Sequence, residues 1–442
     1  MMKGNGVKNY IARVQGFSRN AKLFLLSNFI GGMAFGVQMV VYNLFLLKMG
    51  YEEDFLGVVV FYSSIAMVVF ALPGGRLSDL LGRRRVMLVA GAVGALSFAV
   101  QILYPFKYLL IAAVVINGAA RTAQFISANP LMAESSTKEQ RPHLFSVNAA
   151  LLMASGVVGS VLGGYLPNLY QVALRVSPES EMAFGLTLAT GLAFFILSLI
   201  PIVFIRDDEI TVEEDDSAGE VLEGAVGIGR LLGLSDTKLI AKLALPGLLV
   251  GLGAGLFVPF VNVFFKNHLG ATTGQIGTIF SVQSILTTVG ILVAPLLAAR
   301  IGKVRSVVVA QLLSIPFLLT IALSSSLYIV AAATLVRGAL MNMSNPLLAN
   351  FTMDVVKPRE RATVESIGGM VWNLGWAVSA WVGGWLMSEV SYTLPYLITA
   401  VLYVTSSLLY YFFFARHEDR LEGRLGIKAV RPITSDDVAS SP

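Results

Sequence analysis

The chain has 442 residues, of which 55% are hydrophobic and only 13% are charged. A soluble domain carries about 25% charged residues, so this composition excludes an ordinary water-soluble globule and indicates an integral membrane protein. The absence of cysteine excludes disulfides and thiolate chemistry. A formal net charge of +5 would also fit a nucleic-acid-binding protein, and the positions of the charges decide between these classes.

Runs of about 20 mostly apolar residues predict transmembrane helices, because this length spans a bilayer core of about 30 Å. Twelve such runs occur, and we predict an all-α integral membrane protein with twelve transmembrane helices. No cleavable signal peptide is predicted, since the first apolar run is too long for a signal's apolar core. The predicted helices cover 22–47, 55–74, 86–106, 108–132, 143–166, 182–205, 242–265, 273–298, 306–325, 327–353, 363–387 and 394–414.

The basic residues are distributed unevenly between the two sides of the predicted membrane. With the N-terminus in the cytoplasm, 26 of the 32 lysines and arginines lie on the cytoplasmic side, 4 on the opposite side and 2 within helices. This is the positive-inside pattern, and it predicts a cell (inner) membrane protein with both termini in the cytoplasm. It also accounts for the positive charge without any nucleic-acid partner.

A long polar segment separates six predicted helices from the next six. Its acidic start, RDDEITVEEDD, is typical of a solvated linker. We therefore predict an N-terminal six-helix bundle over 1–205, a linker over 206–241, a C-terminal six-helix bundle over 242–415 and a cytoplasmic tail over 416–442.

The two sets of helices repeat each other at a nearly constant offset along the chain. Arg121 is followed eight residues later by Asn-Pro-Leu, and Arg337 is followed by the same tripeptide at the same spacing. The glycine pairs 163–164 and 383–384 recur in the same way. An internal repeat of six helices predicts two pseudo-symmetric bundles around a site near the bilayer midplane, which is a transporter architecture.

The connection between the second and third helices reads GRLSDLLGRRR over residues 75–85. Its glycines allow close helix approach and a sharp turn, and Asp79 requires a cation or a helix N-terminus as partner. The stretch resembles the loop signature Gly-x-x-x-Asp-x-x-Gly-Arg-Arg/Lys of the major facilitator superfamily (MFS). Helix count, repeat and linker extend the resemblance over the whole chain and imply the MFS fold, in particular its proton-coupled drug and metabolite efflux branch.

The resemblance also implies a role for Asp79, which would contact the start of helix 11, around Thr363, and latch the halves together when the site faces outward. Ala299 occupies the equivalent position in the second half. A latch needs only one copy, which would explain why the acid is absent there. A simple topology anchor is the alternative. The predicted latch residues are Gly75, Asp79, Gly82, Arg83 and Arg84.

Two charges, Arg121 and Arg337, lie near helix centres, where a charge costs about 2.5 to 3.5 kcal/mol. The residues from Arg121 to Gln124 also resemble the MFS helix 4 signature Arg-x-x-Gln-Gly, with Phe125 in place of the glycine. In that family the arginine is associated with proton coupling or substrate contact. The lack of a central acid disfavours cationic substrates and favours an anionic or carbonyl-rich one. A structural arginine satisfied by neighbouring carbonyls is the alternative.

Polar and aromatic side chains on the predicted cavity helices complete the candidate site. Trp372 and Trp376 share one helix face and Trp381 and Trp385 the opposite face, so one pair can stack on a substrate. Interhelical hydrogen bonds and packing are the alternatives. The candidate substrate-binding residues are Arg121, Arg337, Gln38, Tyr42, Asn43, Asn117, Gln124, Asn262, Asn342, Trp372 and Trp376. The candidates for proton coupling are Glu134 and Asp354.

The fifth helix contains SGVVGSVLGG over 155–164, which is similar to the antiporter signature Gly-x-x-x-Gly-Pro-x-x-Gly-Gly with serine in place of proline. Because no nucleotide-binding motif occurs, a gradient must drive transport. Proton-coupled export of a small organic molecule is ranked first, organic-anion uptake or exchange second, and a non-transporting membrane sensor third. We expect a monomer that interacts with substrate, protons or a counter-solute and lipid, and no enzyme activity, cofactor or metal.

Overall fold

The computed structural model describes residues 16–137, 139–206 and 236–425. It confirms the predicted all-helical membrane fold, with twelve long helices over that part of the chain. They are α1 Arg19–Lys48, α2 Glu53–Leu81, α3 Arg83–Leu103, α4 Lys107–Glu134, α5 Arg141–Leu174, α6 Glu181–Val203, α7 Thr237–Phe257, α8 Thr273–Ile301, α9 Lys303–Leu323, α10 Leu327–Val355, α11 Arg361–Glu389 and α12 Thr393–Leu425.

Eleven of these helices are long and apolar enough to cross a membrane on length and composition. The remaining one, α11, has 29 residues and the required length, but it carries glycines, serines and polar side chains among its tryptophans. Part of α11 lines an internal cavity, so it needs a less lipid-like composition.

Helix α7 is not regular along its length, which the sequence analysis did not predict. After Phe257 the chain forms a 3-10 turn at Val258–Phe260, a short helical segment and a π-helical turn at Phe264–His268. Pro259 explains the interruption, because proline has no N–H to donate and its ring clashes with the preceding helical turn. The break ends α7 with a cluster of buried aromatic residues rather than with a straight helix.

Helices α1–α6 pack into one group and α7–α12 into a second, and the groups meet mainly where α2 packs on α11 and α5 packs on α8. The predicted linker lies mostly outside the described residues, over 207–235, so the domain boundary stays a prediction. The predicted tail also stays a prediction, and α12 continues as helix to Leu425 within it. The first residues after 415 therefore extend a helix.

The two ends of the molecule are packed differently. We call the end with the start of α1 and the α2–α3 turn the terminal side, and the end with the α1–α2 turn the far side. At the far side one buried hydrophobic core joins both bundles, including Leu44 and Phe45 of α1 together with Phe260 and Phe264. At the terminal side each bundle has a separate core. The two bundles therefore pack against each other at the far side and are separated at the terminal side.

Contacts between the bundles follow the internal repeat of the sequence. A Cβ atom on Gly164 of α5 would lie 2.9 Å from Cα of Gly277 on α8, and one on Gly384 of α11 would lie 3.0 Å from Cα of Gly57 on α2. The two contacts are related residue by residue through the repeat. Gly82 and Gly302, which immediately precede α3 and α9, likewise have φ of 87° and 88°, which only glycine adopts readily.

The terminal-side turn of the second bundle is held by Glu418 on α12. This buried carboxylate accepts hydrogen bonds from the backbone N–H groups of Lys303 and Val304, the latter at 3.0 Å. These groups begin α9, where a negative charge is favoured by the helix dipole. In the first bundle, Asp79 contacts the equivalent turn. The second bundle has Ala299 at the position of Asp79, and its acid comes from a different helix, as Glu418 of α12.

We expect Glu418→Gln to destabilise the C-terminal bundle by about 1 kcal/mol, because it removes charge-assisted hydrogen bonds to the start of α9. Thermal unfolding of the purified protein would measure this change. Glu389→Gln is the matched control, since Glu389 is exposed at the end of α11. Equal unfolding temperatures for both variants would contradict a stabilising role for Glu418.

Candidate functional site: the cavity between the bundles

The far side of the bundle interface is closed by two asparagines that the repeat relates to each other. Asn43 of α1 donates to the carbonyl of Pro259 at 2.7 Å and to the amide oxygen of Asn262 at 3.2 Å. Asn262 in turn donates to the carbonyl of Val40 at 3.0 Å. Both were predicted to bind substrate, but in this conformation they join the bundles and do not line the cavity.

Charged and polar groups continue this closure toward the far-side surface. Lys266 forms an ion pair with Glu179 of the other bundle, and Asn267 donates to Glu53 at 3.0 Å. The hydroxyl of Tyr392 also donates to Glu53, and burial raises the pKa of Tyr392 above its usual value. The tyrosine therefore keeps the proton that it donates.

Above this closure a cavity of about 830 Å³ lies between the bundles, a volume suited to a drug-sized organic molecule. The C-terminal bundle contributes most of the lining, from all six of its helices, while α1 and α5 contribute a few residues. The lining is mainly apolar and aromatic. Among the described residues, its charged members are Arg337 and, in the second turn of α11 near the terminal side, Glu365.

Arg337 is held in a fixed position in the cavity wall. Its guanidinium group stacks on Phe257 at 4.5 Å and lies 5.6 Å from the ring of Tyr403, whose hydroxyl accepts a hydrogen bond of 3.3 Å. The side chain is only 7% exposed, and its Nε–H has no hydrogen-bond acceptor in the described protein. A buried donor without a partner is costly, so this edge is suited to a ligand acceptor.

Arg121 has a different environment from its repeat partner. It is exposed and lies 5.1 Å from the ring centre of Phe35, a residue that lines the cavity. No described residue forms a hydrogen bond or an ion pair with it. Arg121 thus lies on the N-terminal bundle beside a cavity-lining residue, but it is not itself among the residues that line the cavity.

The tryptophans of α11 divide as their spacing predicts. Trp372 and Trp376 line the cavity and stack on each other with ring centres 5.2 Å apart and planes inclined by 25°. Trp381 and Trp385 are about half exposed and lie on the outer surface of the bundle. The inner pair therefore presents a flat aromatic surface to the same cavity as Arg337.

Other predicted site residues have partners within their own bundle. The hydroxyl of Tyr42 donates to Gln101 at 2.6 Å, Asn117 donates to the carbonyl of Gly94 at 3.0 Å and Gln124 donates to the carbonyl of Met87 at 3.3 Å. These bonds agree with the packing alternative for each residue. Gln38 is half-buried on α1 outside the cavity lining, whereas Asn342 lines the cavity and donates to the carbonyl of Gly338 at 2.8 Å.

The GRLSDLLGRRR turn is bonded within the N-terminal bundle in this conformation. Arg83 bridges Asp79 at 2.5 Å and Glu134 at 2.9 Å, and Arg84 donates to the carbonyl of Val203 at 2.6 Å. Among the described residues Asp79 pairs with Arg83, and no hydrogen bond or ion pair joins it to the start of α11. The latch stays a prediction for the opposite conformation.

The two candidate proton carriers lie at equivalent positions of the internal repeat. Glu134 pairs with Arg83 in the first bundle, and Asp354 pairs with Lys303 at 2.5 Å at the equivalent positions of the second. Both pairs lie at the terminal side, next to the turns that start α3 and α9. Neither acid is among the residues that line the cavity, so their role in proton coupling stays a prediction.

Sequence reasoning missed the contribution of α12 to the cavity. Tyr396, Tyr403 and Tyr410 all line it, and the hydroxyl of Tyr410 has no hydrogen-bond partner in the described protein. Their spacing of seven residues, two helical turns, places them on one face of α12 and could have identified this face from the sequence. Phe257 was missed because it looks like an ordinary apolar residue until its contact with Arg337 is known.

Comparison with known proteins places this architecture in a family. The family model of the Major Facilitator Superfamily matches residues 24–241 and 243–437. The Uncharacterized MFS-type transporter YddS of Bacillus subtilis is 21% identical over 91% of this chain and 93% of its own length. The Multi-drug resistance efflux pump PmrA of Streptococcus pneumoniae is 23% identical over 70% of this chain and 74% of its own.

Among solved structures, the nucleoside transporter NupG has a similar fold, with a TM-score of 0.65 and 16% identity. The match covers 90% of this chain and 99% of that one. Fold, repeat, cavity and family model agree over nearly the whole chain. The chain belongs to the major facilitator superfamily and is a multi-pass membrane transporter, not an enzyme.

Proposed function

We propose that the protein exports amphipathic small organic molecules by alternating access, driven by a proton gradient. The observation that carries this proposal is the aromatic-lined cavity of about 830 Å³, which is closed at the far side and open toward the terminal side. The positive-inside pattern supports a cytoplasmic terminal side, in which case the cavity would load from within the cell. The similarity to an efflux pump supports the same direction.

In this proposal protons act on the two terminal-side ion pairs, Glu134 with Arg83 and Asp354 with Lys303. Protonation of Glu134 or Asp354 would release Arg83 or Lys303 and loosen the turns that start α3 and α9. Because the bundles are apart at this side, these turns can move when the terminal side closes. Substrate release at the far side would then require breaking the Asn43 and Asn262 contacts.

Flux through purified protein in proteoliposomes tests this proposal. We expect an imposed pH gradient to accelerate movement of a lipophilic dye several-fold over empty vesicles, and we expect Glu134→Gln combined with Asp354→Asn to remove the acceleration. Dye movement that does not respond to the pH gradient would contradict proton coupling. The Glu389→Gln variant serves as a control, because its exposed carboxylate lies at the far-side end of α11.

Exchange of organic anions is the second candidate, and the two arginines favour it. Arg337 has an unpaired Nε–H, and Arg121 has no polar partner among the described residues. The one acid among the described lining residues, Glu365, lies toward the mouth. Counterflow of labelled carboxylates that is indifferent to pH would identify this mode in the same vesicles.

A further inference from the structure

We propose that the cavity recognises a planar organic anion with a single acidic group, which is bound by Arg337, and an aromatic body, which stacks on Trp372 and Trp376. This inference rests on the proposed transport function and names the class of molecule that the site takes. It combines three features of one cavity: a fixed cation with a free donor edge, a flat aromatic surface and an apolar lining.

The acidic group follows from the state of Arg337. Phe257 covers one face of the guanidinium group, and Tyr403 accepts a hydrogen bond from one of its terminal nitrogens. The unpaired Nε–H is left for an oxygen of the ligand. A carboxylate fits best, because it neutralises the buried charge and accepts from the guanidinium edge and the Tyr403 hydroxyl together.

The number of basic residues in the lining indicates that the ligand carries a single negative charge. Arg337 is the one lysine or arginine among the described residues of the lining, and Arg121 lies against Phe35 on the other bundle, outside the lining. A second acidic group would be desolvated in the apolar part of the cavity without a partner. The negative Glu365 at the terminal-side end of the cavity also disfavours dianions at the entrance.

The planar body follows from the tryptophan pair. The rings of Trp372 and Trp376 stack with ring centres 5.2 Å apart, and both lie on α11 where it packs against α7. The backbone of Trp376 packs on α7 at Gly255, two residues before Phe257, and both tryptophans line the same cavity as Arg337. Offset stacking on such a surface favours a flat ring over an aliphatic chain of the same volume.

Equilibrium binding to the purified full-length protein tests this inference. Isothermal titration calorimetry would compare 2-naphthoate, 2-naphthamide and 2-naphthylmethylammonium, which share one ring system and differ in charge. We expect 2-naphthoate to bind at least tenfold more tightly than the amide and the cation to bind most weakly. Equal affinity for acid and amide, preference for the cation, or no binding of 2-naphthoate would overturn the inference.

Two variants test which side chain contacts the acidic group and which contacts the aromatic ring of the ligand, and a third variant is the control. Arg337→Gln is expected to weaken 2-naphthoate about tenfold and to leave 2-naphthamide unchanged, a selective effect that a collapsed cavity would not produce. Trp376→Leu is expected to weaken acid and amide alike. Trp385→Leu, on the outer face of the same helix, is expected to change neither. Equal losses for both ligands in Arg337→Gln would contradict a direct contact.

The results separate this inference from the proposed export function. Dye flux that responds to pH, without a preference for the naphthoate anion, would remove the inference and leave export in place. Preferential binding of 2-naphthoate without any effect of a pH gradient on flux would support the inference and remove proton-coupled export.

Discussion

Replacement of Gly164 with alanine is expected to move the protein out of the conformation described above. The new Cβ atom would lie 2.9 Å from Cα of Gly277 and 2.9 Å from the carbonyl oxygen of Thr273, and both are backbone atoms that cannot turn away. Because α5 and α8 belong to different bundles, separation of the bundles at the far side relieves the clash. We expect a cost of about 1 to 3 kcal/mol, which shifts the two populations by roughly 5- to 150-fold.

The chain offers a direct way to measure this shift. It contains no cysteine, so Tyr108→Cys and Tyr328→Cys can carry spin labels without background. These repeat-related residues begin α4 and α10 at the far side and are 85% and 79% exposed. Double electron–electron resonance should show a longer distance between the labels in the Gly164→Ala protein. An unchanged distance distribution would contradict the assignment of this contact as a closure point.

The neighbouring glycine provides the matched control. A Cβ atom on Gly163 would lie 3.0 Å from Cα of Val37 on α1, which is in the same bundle. Gly163→Ala should therefore lower the unfolding temperature without lengthening the distance between the labels. A lengthened distance in this control would mean that the shift reflects general loosening of the protein.

Asp79→Asn is expected to impair transport severely while membrane insertion and folding stay largely intact. In the observed conformation Asp79 is half-exposed and pairs with Arg83, so its loss costs little here. The start of α11 lacks a side-chain cap from its N-cap residue Glu360, so its N–H groups can donate to a carboxylate when the terminal side closes. We expect the closed terminal side to lose about 0.5 to 2 kcal/mol, or roughly two- to thirtyfold in population.

Flux in proteoliposomes and the same pair of spin labels would measure this effect. The Asp79→Asn protein should remain in the far-side-closed form, with a short distance between the labels, and flux should fall at least several-fold. Asp54→Asn is the control, because this exposed carboxylate lies at the far-side end of the same helix. Normal flux in Asp79→Asn would remove the latch and leave the turn as a topology anchor.

The two variants act in opposite directions, which allows a stronger test. Gly164→Ala opens the far side and Asp79→Asn prevents the terminal side from closing. The double variant should therefore show a label distance distribution between those of the single variants. A result equal to either single variant would show that the two contacts do not bias the same equilibrium.

The sequence by itself determined the membrane class, the twelve helices, the repeat and the division of the tryptophans of α11. These features depend on hydrophobic length, on residue spacing along a helix and on glycine spacing, which are local properties of the chain. The repeat also relates the ion pair of Arg83 with Glu134 to that of Lys303 with Asp354, since equivalent positions in a repeat have equivalent neighbours.

Only the tertiary structure decided which polar residues face the cavity. Asn43 and Asn262 look like substrate ligands on the sequence, yet each finds its partner on the other bundle, far away along the chain. Glu418 could not be connected with the start of α9, because no local spacing relates α12 to that turn. Arg121 and Arg337 occupy equivalent positions but differ in burial and partners, because the cavity extends into the C-terminal bundle and packing around it is asymmetric.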